Sequence, residues 1–154
     1  MSKIDIGKKA PQFTLDGTGG AWSLSDGSGS CVILYFYPRD DTPGCTQEGE
    51  DFSAAHAQFK KAKAVIFGIS ADTLASHEKF KRKMGFTFEL LSDPEKKVCA
   101  LYDVIQEKSM YGKKFLGIER STFLIDAKGV LRHAWRKVKV KGHVAEVLAA
   151  VKAL

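Results

Sequence analysis

The sequence predicts an α/β fold whose mixed central sheet is flanked by helices and extended at its N-terminal end by a β-hairpin. Two continuous apolar runs, residues 31–37 and 64–70, are rich in β-branched and aromatic side chains and indicate fully buried strands. A helical stretch separates the two runs, which predicts a parallel pair joined by a right-handed crossover. No internal repeat or linker interrupts the 154 residues, so we expect a single domain over residues 1–154.

Turn-forming residues mark the first elements of this fold. The glycine-rich residues 16–20 lie between residues 13–15 and 21–24, which predicts two short strands joined by a turn. A second loop, at residues 26–30, precedes the first buried strand. The helix between the two buried strands is expected over about residues 45–61.

The middle of the chain alternates between helix and strand. A second helix is expected over about residues 73–84, with Asp72 as its N-cap. Residues 88–92 then form a short strand or extended segment. Residues 93–95 read Asp-Pro-Glu, a capping side chain followed by a proline suited to the first helical position. They predict that a third helix begins there, and this helix carries Cys99.

The last part of the chain predicts a hairpin followed by a helix. Residues 121–126 and 130–135 form the strands of the hairpin, and Gly129 suits the positive-φ position of its turn. The closing helix places its apolar residues at the i, i+3, i+4, i+7 spacing of one buried face. These residues are Val144, Val147, Leu148, Val151 and Leu154.

The chain is basic, with a formal net charge of +6, but its charges are mixed along most of its length. The densest basic stretch, residues 136–141, alternates lysine with valine and predicts a strand with a solvated lysine face. A nucleic-acid-binding patch would also need stacking aromatic residues nearby and a recognised motif, and the sequence has neither. We therefore expect no nucleic-acid partner.

Targeting signals and cysteine usage indicate the compartment. No apolar h-region follows Met1, and the longest apolar run, residues 31–37, is far shorter than the ~20 residues that a membrane span needs. The three cysteines are odd in number and well separated, unlike the cysteines of a secreted disulfide framework. The sequence therefore favours a cytoplasmic protein that has reduced thiols and no membrane partner.

The segment that points to chemistry follows the first buried strand and opens a helix. Thr42 is predicted to be the N-cap of this helix, with Pro43 at the first helical position. Cys45 then falls in the first turn, where unpaired backbone N–H groups and the helix dipole favour an anion. The thiolate is the nucleophilic form of cysteine, so this position favours a reactive thiol.

Each of these residues also has a purely structural interpretation. Cys45 could be a small buried hydrophobic residue, although its place in a capped first turn at the end of a central strand favours reactivity. Thr42 could be a plain N-cap with no chemical role. A single hydroxyl can also cap the helix at rest and contact a substrate later, so both roles stay open for Thr42.

The spacing Pro38-x-x-x-Thr42-x-x-Cys45 resembles the PxxxTxxC signature of peroxiredoxins. The flanking residues 35–38 and 42–46 resemble the peroxiredoxin Q group, also called bacterioferritin comigratory proteins. Further similar positions are residues 91–94, residues 117–126 and Trp135. The resemblance covers nearly the whole chain and implies a thioredoxin-like fold with an N-terminal extension, and no bound cofactor or metal.

The resemblance also implies roles for individual residues. Cys45 would be the peroxidatic cysteine, which reduces hydrogen peroxide or an organic hydroperoxide and becomes a sulfenic acid. Thr42 would hold the peroxide in line with the sulfur, and Pro38 would shield the site from water. Arg120 would complete the pocket, because a permanently charged guanidinium stabilises both the thiolate and the leaving oxygen. Glu48 could orient Arg120 through an ion pair or could be a solvated helix glutamate.

The sequence departs from the family in its second cysteine. Many members carry a resolving cysteine five positions after the peroxidatic one, where this chain has Glu50, and others carry it on the second helix, at the position of Lys81. Cys31 is expected at the far edge of the sheet, and Cys99 as a buried filler. We therefore expect a one-cysteine mechanism with an external thiol reductant (thioredoxin, glutaredoxin or glutathione). The alternative is a Cys45–Cys99 disulfide formed after local unwinding of the first helix.

Other classes of protein fit less well. A thioredoxin-type oxidoreductase would need Cys-x-x-Cys, which is absent from the sequence. The four histidines, His56, His77, His133 and His143, stand in no recognisable relation to Cys45, as a cysteine hydrolase or a metal site would require. A non-enzymatic redox sensor or holdase could use the same sulfenic acid chemistry. Relatives in the Q group are often monomeric, so we expect a monomer.

Overall fold

The structure is a computed structural model and describes residues 4–154. The expectation that no signal peptide opens the chain falls partly on residues 1–3, which lie outside the described residues. The strands within residues 4–154 are β1 (Thr14–Gly17), β2 (Trp22–Ser23), β3 (Cys31–Phe36), β4 (Ala64–Ser70), β5 (Glu89–Ser92), β6 (Ile105–Met110), β7 (Lys113–Ile118), β8 (Ser121–Ile125) and β9 (Leu131–Trp135). The α-helices are α1 (Pro43–Lys61), α2 (Leu74–Met84), α3 (Lys97–Leu101) and α4 (His143–Lys152), and a 3₁₀ helix spans Leu24–Gly27.

Seven of the strands form one mixed sheet in the order β2-β1-β5-β4-β3-β8-β9. The central strands β3, β4 and β5 run parallel, whereas β8 pairs antiparallel with β3, and β9 antiparallel with β8. The hairpin β1–β2 joins the other side of the sheet through antiparallel pairing of β1 with β5. The predicted α/β fold with a mixed central sheet and an N-terminal hairpin is therefore confirmed.

Strand β3 is buried on both faces because its side chains alternate between two hydrophobic clusters. Val32, Leu34 and Phe36 belong to the first cluster, which α3 helps to form. Ile33 and Tyr35 belong to the second cluster, which lies beneath α1, α2 and α4. The two faces of the sheet therefore have separate cores, and a side chain in one core is separated from the other core by the sheet.

Helix α1 follows β3 after a loop at residues 37–42. It begins at Pro43, which confirms the predicted N-cap position of Thr42 and the proline at the first helical position, although the approximate range of 45–61 started two residues too late. Gly49 lets the helix approach the core closely, since a Cβ at that position would lie only 2.3 Å from the Phe86 ring. The loop therefore leads from the end of a buried strand directly into the first turn of a closely packed helix.

The predicted N-cap of α2 is wrong. The N-cap is Thr73, whose hydroxyl accepts a hydrogen bond from the Ser76 N–H at 3.2 Å. The Asp72 carboxylate instead accepts a hydrogen bond from the backbone N–H of Asp40 at 2.8 Å. Asp72 therefore joins the end of β4 to the loop before α1, which is a tertiary contact that local spacing does not reveal.

The start of α3 also differs from the prediction. Residues 93–95 precede the helix, because the Lys96 N–H bonds to the Asp93 carbonyl at 2.9 Å and closes a turn. Lys96 has a left-handed φ of 59°, and the helix begins at Lys97. The Asp93 carboxylate still satisfies a backbone donor of the helix, since it accepts from the Cys99 N–H at 2.8 Å. The predicted N-cap and start of α3 are therefore wrong, since Lys96 is the N-cap and Pro94 lies before the helix.

Strands β6 and β7 form a separate two-stranded antiparallel sheet that the sequence analysis did not predict. Most of its residues are exposed, so its strands lack the apolar alternation that indicates a half-buried strand. Tyr111 and Gly112 have φ angles of 53° and 76°, as in hairpin turns more often marked by Asn-Gly. The hairpin matters for the site because β7 ends two residues before Arg120.

The chain after β9 differs from the prediction at two positions. The basic residues 136–141 do not form a strand, because Lys137 has a φ of 50° that interrupts the extended backbone. The predicted apolar face of α4 is buried except for Leu154, which lies beyond the helix and is 46% exposed.

The β8–β9 hairpin is confirmed, with Gly129 at a φ of 82°. No helix in residues 4–154 combines the length and the apolar character needed to cross a bilayer.

Candidate active site

Cys45 lies in the first turn of α1, as predicted, beyond the carboxyl end of β3. Its side chain is only 2% exposed and belongs to the same hydrophobic cluster as Tyr35 and Tyr37. The first backbone bond of the helix runs from the Thr46 N–H to the Thr42 carbonyl at 2.8 Å, so the preceding N–H groups have no acceptor within the helix. These donors and the helix dipole favour a negative charge at the sulfur.

Arg120 brings a positive charge to this thiol from a distant part of the chain. It lies between β7 and β8, where its Nη2 group donates to the Cys45 sulfur at 3.3 Å and its Nη1 group donates to a Glu48 carboxylate oxygen at 2.6 Å. Burial by itself lowers the pKa of Arg120, but the neighbouring Glu48 and Cys45 outweigh burial and raise this pKa above its ordinary value. The guanidinium therefore stays charged while it contacts the sulfur.

Glu48 lies one turn after Cys45 on α1 and is completely buried, so it is not a solvated helix glutamate. Burial raises its pKa to about 7, against the opposing effect of Arg120. One carboxylate oxygen accepts from Arg120, and the other has no hydrogen-bond partner among residues 4–154. Glu48 therefore meets the Arg120 guanidinium in an ion pair whose carboxylate is completely buried.

Thr42 occupies the N-cap position, but its side chain accepts no capping hydrogen bond. Its hydroxyl instead donates to the Arg39 carbonyl at 2.9 Å, so the interpretation of Thr42 as a plain side-chain cap is wrong. A hydroxyl whose hydrogen is engaged in this way keeps its oxygen lone pairs for an incoming O–H donor. The side chain is half-buried, so it can be reached by a small molecule.

Pro38 and Gly44 lie on either side of Thr42. Pro38 follows the buried Tyr37 and is exposed at the surface of the loop. Gly44 is a residue that the sequence analysis missed. A Cβ at Gly44 would lie 3.0 Å from the Nη2 group of Arg120, so the glycine leaves room for the guanidinium beside the helix start. The signal that could have identified it is a Pro-Gly pair directly before a first-turn cysteine.

The other two cysteines lie away from Cys45. Cys31 begins β3, at the end of the strand opposite to residues 37–42, which we call the active loop. Burial together with Asp126 raises the pKa of Cys31. Cys99 is completely buried in the cluster on the opposite face of the sheet from Cys45. Burial and the neighbouring Asp93 raise the pKa of Cys99 well above its ordinary value. All three cysteines are free thiols.

The site therefore combines a nucleophile, a cation and a hydrogen-bond acceptor. A thiolate beside a guanidinium can attack an electrophilic atom, and the same cation can stabilise the charge that develops on the leaving group. The Thr42 hydroxyl can accept a hydrogen bond from a substrate that carries an O–H group. A hydroperoxide meets each of these requirements, so the fold and the site define a thiol-dependent peroxidase.

Comparison with known proteins shows the family. The sequence profile of the AhpC/TSA family matches residues 6–134, and the chain belongs to this family. Peroxiredoxin Bcp of Bacillus subtilis is 51% identical over 150 residues, which cover 97% of this chain and 96% of that protein. Peroxiredoxin Bcp of Xanthomonas campestris is 55% identical over 126 residues, which cover 82% of this chain and 79% of that protein.

Solved structures agree with these relatives. Peroxiredoxin Q of Xylella fastidiosa matches with a TM-score of 0.93 at 42% identity, covering 99% of this chain and 98% of that chain. The bacterioferritin comigratory protein of Xanthomonas campestris, described for its alkyl peroxide reduction activity, matches with a TM-score of 0.87 at 51% identity, covering 92% and 90%. The resemblance to the peroxiredoxin Q group is confirmed, and the chain is a peroxidase of the oxidoreductase class with a thioredoxin-like fold.

Proposed function

We propose that the chain reduces hydrogen peroxide and organic hydroperoxides through a one-cysteine cycle at Cys45. The contact of 3.3 Å between the Arg120 guanidinium and the Cys45 sulfur carries this proposal, because it places a cation beside the atom that must attack the peroxide. The thiolate attacks the terminal oxygen of the hydroperoxide, a sulfur–oxygen bond forms, and the oxygen–oxygen bond breaks. The products are a sulfenic acid on Cys45 and an alkoxide or hydroxide, which takes up a proton to leave as alcohol or water.

Each neighbour of Cys45 has a separate part in this step. Thr42 accepts a hydrogen bond from the terminal O–H of the peroxide and holds the oxygen–oxygen bond in line with the sulfur. Arg120 stabilises the charge that moves from the sulfur to the leaving oxygen. Glu48 holds the guanidinium from the side opposite to the sulfur. Pro38, at the outer edge of the loop, shields the site from water once a peroxide occupies it.

The oxidised enzyme is reduced by an external thiol. A thiol of thioredoxin, glutaredoxin or glutathione attacks the sulfenic sulfur, water leaves and a mixed disulfide forms, and a second thiol then releases Cys45. The opposite placement of Cys45 and Cys99 across the sheet supports this route, as does the absence of cysteine at positions 50 and 81. A Cys45–Cys99 disulfide would require α1 to unwind and one thiol to cross to the other face.

Mass spectrometry after one equivalent of peroxide tests the cycle. The fully reduced protein is treated with a sulfenic-acid trap in the absence of reductant, and its cysteine peptides are then identified. We expect trapped sulfenic acid on Cys45 alone, with Cys31 and Cys99 as free thiols. A Cys45–Cys99 cross-linked peptide would replace the one-cysteine route by an internal disulfide, and an unoxidised Cys45 would contradict the proposed chemistry.

Steady-state turnover separates the enzyme from the alternative of a redox sensor or holdase. With excess thiol, an enzyme consumes many equivalents of peroxide, whereas a sensor reacts once and stops. The alkyl peroxide reduction activity described for the Xanthomonas campestris relative supports organic hydroperoxides as substrates. We further propose that residues 1–154 act as one domain, in a monomer, in the cytoplasm, where the three free thiols are kept reduced.

A further inference from the structure

A buried polar cluster beneath the active loop has no role in the steps described above. It consists of side chains from the loop, from the end of β4 and from the start of α2. Its members are Tyr37, Asp40, Asp72, Ser76 and His77. His77 is completely buried and Asp40 is 8% exposed, so both side chains need partners within the protein.

Both ring nitrogens of His77 lie at hydrogen-bond distance from oxygen atoms. Its Nδ1 atom lies 2.8 Å and 3.0 Å from the two carboxylate oxygens of Asp40, and its Nε2 atom lies 2.9 Å from the Leu91 carbonyl oxygen. The ring therefore bridges the Asp40 carboxylate and the backbone of β5 through hydrogen bonds at its two nitrogens.

Asp40 is the ionised partner of this pair. Its carboxylate accepts hydrogen bonds from the Tyr37 hydroxyl at 2.6 Å and from the Ser76 hydroxyl at 2.8 Å, in addition to His77. Burial by itself raises the pKa of Asp40, but the hydrogen bonds from His77 and Tyr37 outweigh burial and hold this pKa below its ordinary value. A buried carboxylate that is held by these three side chains has little freedom to move.

The same cluster does not suit a metal ion. Ligand-type atoms of Asp40, Asp72 and His77 lie within 4.8 Å of one another, which is close enough for a shared ion. However, Nδ1 of His77 lies 2.8 Å and 3.0 Å from the Asp40 oxygens and Nε2 lies 2.9 Å from the Leu91 carbonyl oxygen, so direct hydrogen bonds satisfy these atoms without an ion. The hydrogen bonds of the cluster therefore hold the loop at residues 37–42, the end of β4 and the start of α2 together.

This hydrogen-bonded cluster is linked to Thr42 through a single peptide group, the one between Arg39 and Asp40. The N–H of Asp40 donates to the Asp72 carboxylate at 2.8 Å, and the carbonyl of the same peptide, which belongs to Arg39, accepts from the Thr42 hydroxyl at 2.9 Å. One end of this peptide is thus held by Asp72, and the Asp40 side chain next to it is held by His77. The other end determines where the Thr42 hydroxyl hydrogen points.

We propose that Asp40 and His77 are positioning residues that aim the Thr42 hydroxyl at the peroxide. The proposal rests on the peroxidase function proposed above, in which Thr42 accepts a hydrogen bond from the substrate. Because the Thr42 hydroxyl donates its hydrogen bond to the Arg39 carbonyl, its oxygen lone pairs face away from that peptide group and can accept from an incoming O–H. If the Asp40–His77 pair is lost, the peptide rotates and the hydroxyl loses its fixed direction.

The test compares His77→Gln and Asp40→Asn with a matched control, His56→Gln. His56 is also a buried histidine, but its ring bonds Thr87 and has no contact with the active loop. We expect His77→Gln and Asp40→Asn to lower kcat/KM for hydrogen peroxide by about 10- to 100-fold, as a misaimed catalytic group does. We expect the rate of Cys45 alkylation by iodoacetamide to stay within about twofold of wild type.

A double-mutant cycle with Thr42→Val separates positioning from a general loss of structure. If His77 acts through Thr42, then His77→Gln lowers kcat/KM by less than about twofold when the hydroxyl is already absent. Additive losses in the double mutant would overturn the proposal. A parallel loss of alkylation rate would overturn it as well, because the pair would then act on the thiolate instead of on Thr42.

Folding and wild-type activity are measured in the same series. Should His77→Gln or Asp40→Asn fail to fold, Ser76→Ala removes only one hydrogen bond to Asp40 and is expected to lower kcat/KM by about threefold. Wild-type rates in all three folded variants would refute the positioning role while leaving the peroxidase function intact. A wild-type protein that consumes no peroxide would instead refute the proposed function itself.

Discussion

Cys45 and Cys99 occupy the same position in two different helices, since each is the third residue of its helix. Both are buried, and both lie near unpaired backbone donors. They differ in their charged neighbour. Cys45 contacts the Arg120 guanidinium at 3.3 Å, whereas Cys99 lies against the Asp93 carboxylate, which together with burial raises its pKa.

The comparison teaches that helix position and burial do not by themselves make a cysteine reactive. The helix dipole contributes about 0.3–2 kcal/mol at such a position, whereas burying an unpaired charge costs several times more. A cation in direct contact is needed to offset that cost at Cys45. At Cys99, burial and the nearby Asp93 carboxylate both raise the pKa and favour the neutral thiol.

The largest expected effect follows from replacing each cysteine by serine. Cys45→Ser should abolish peroxide consumption, with a loss of about 10⁴-fold or more, because serine offers no comparable nucleophile. Cys99→Ser and Cys31→Ser should keep kcat/KM within about twofold in an assay with thioredoxin or dithiothreitol as reductant. A large loss in Cys99→Ser with intact folding would mean that the second cysteine takes part in the cycle.

Removal of the Arg120 guanidinium should leave Cys45, like Cys99, without a cation at its sulfur, and should therefore make its thiol less reactive. Arg120→Ala is expected to lower kcat/KM for peroxide by about 10²- to 10³-fold and to slow iodoacetamide alkylation of Cys45 at pH 7. Stopped-flow peroxide reduction and timed alkylation measure the two effects. Arg132→Ala is the control, because Arg132 is exposed and pairs with Asp126 outside the site. Equal alkylation rates in Arg120→Ala and wild type would contradict the role of the guanidinium.

The Thr42 hydroxyl sharpens the comparison, because in the proposed mechanism it contacts the substrate, whereas Arg120 contacts the Cys45 sulfur. Thr42→Val should lower kcat/KM for peroxide by about 10- to 100-fold while leaving Cys45 alkylation unchanged, since the substrate loses its acceptor and the thiolate keeps its cation. Thr42→Ser, which keeps the hydroxyl, should retain most of the activity. An unchanged rate in Thr42→Val would remove Thr42 from the mechanism.

The smallest expected effect concerns the stability contributed by Glu48. Its pKa rises from 4.5 to about 7 on folding, so the folded state binds more protons than the unfolded state between these values. The free energy of unfolding should therefore fall as the pH rises from about 4.5 to about 7, by an amount of order 1–3 kcal/mol. Urea unfolding of Glu48→Gln should show a flatter pH dependence over this range, and identical profiles would contradict the prediction.

Much of the fold was predictable because its signals are local. The buried strands β3 and β4, the hairpin β8–β9 and the apolar face of α4 follow from hydrophobic periodicity and turn residues. The prediction was wrong where tertiary contacts or backbone geometry outweighed local pattern, as at Asp72 and Lys137. The hairpin β6–β7 was missed because exposed strands carry no hydrophobic alternation.

The candidate site likewise combines features that the local sequence predicts with contacts that depend on the fold. By itself, the sequence determined that a cysteine opens the first long helix after a buried strand, with Thr42 and Pro43 before it. It also determined the family resemblance, because the spacing from Pro38 to Cys45 lies within one short segment. Such features depend on residues that are neighbours along the chain, so they are readable without coordinates.

The family resemblance implied that Arg120 serves Cys45, but the contact itself depends on the tertiary structure. Arg120 lies 75 positions after Cys45 and reaches it through the pairing of β8 with β3, which no local pattern encodes. The separation of Cys99 by the sheet and the link from His77 to the active loop likewise depend on packing between distant elements. Electrostatic interactions act through space and weaken steeply with distance, so reactivity is determined only when the chain has folded.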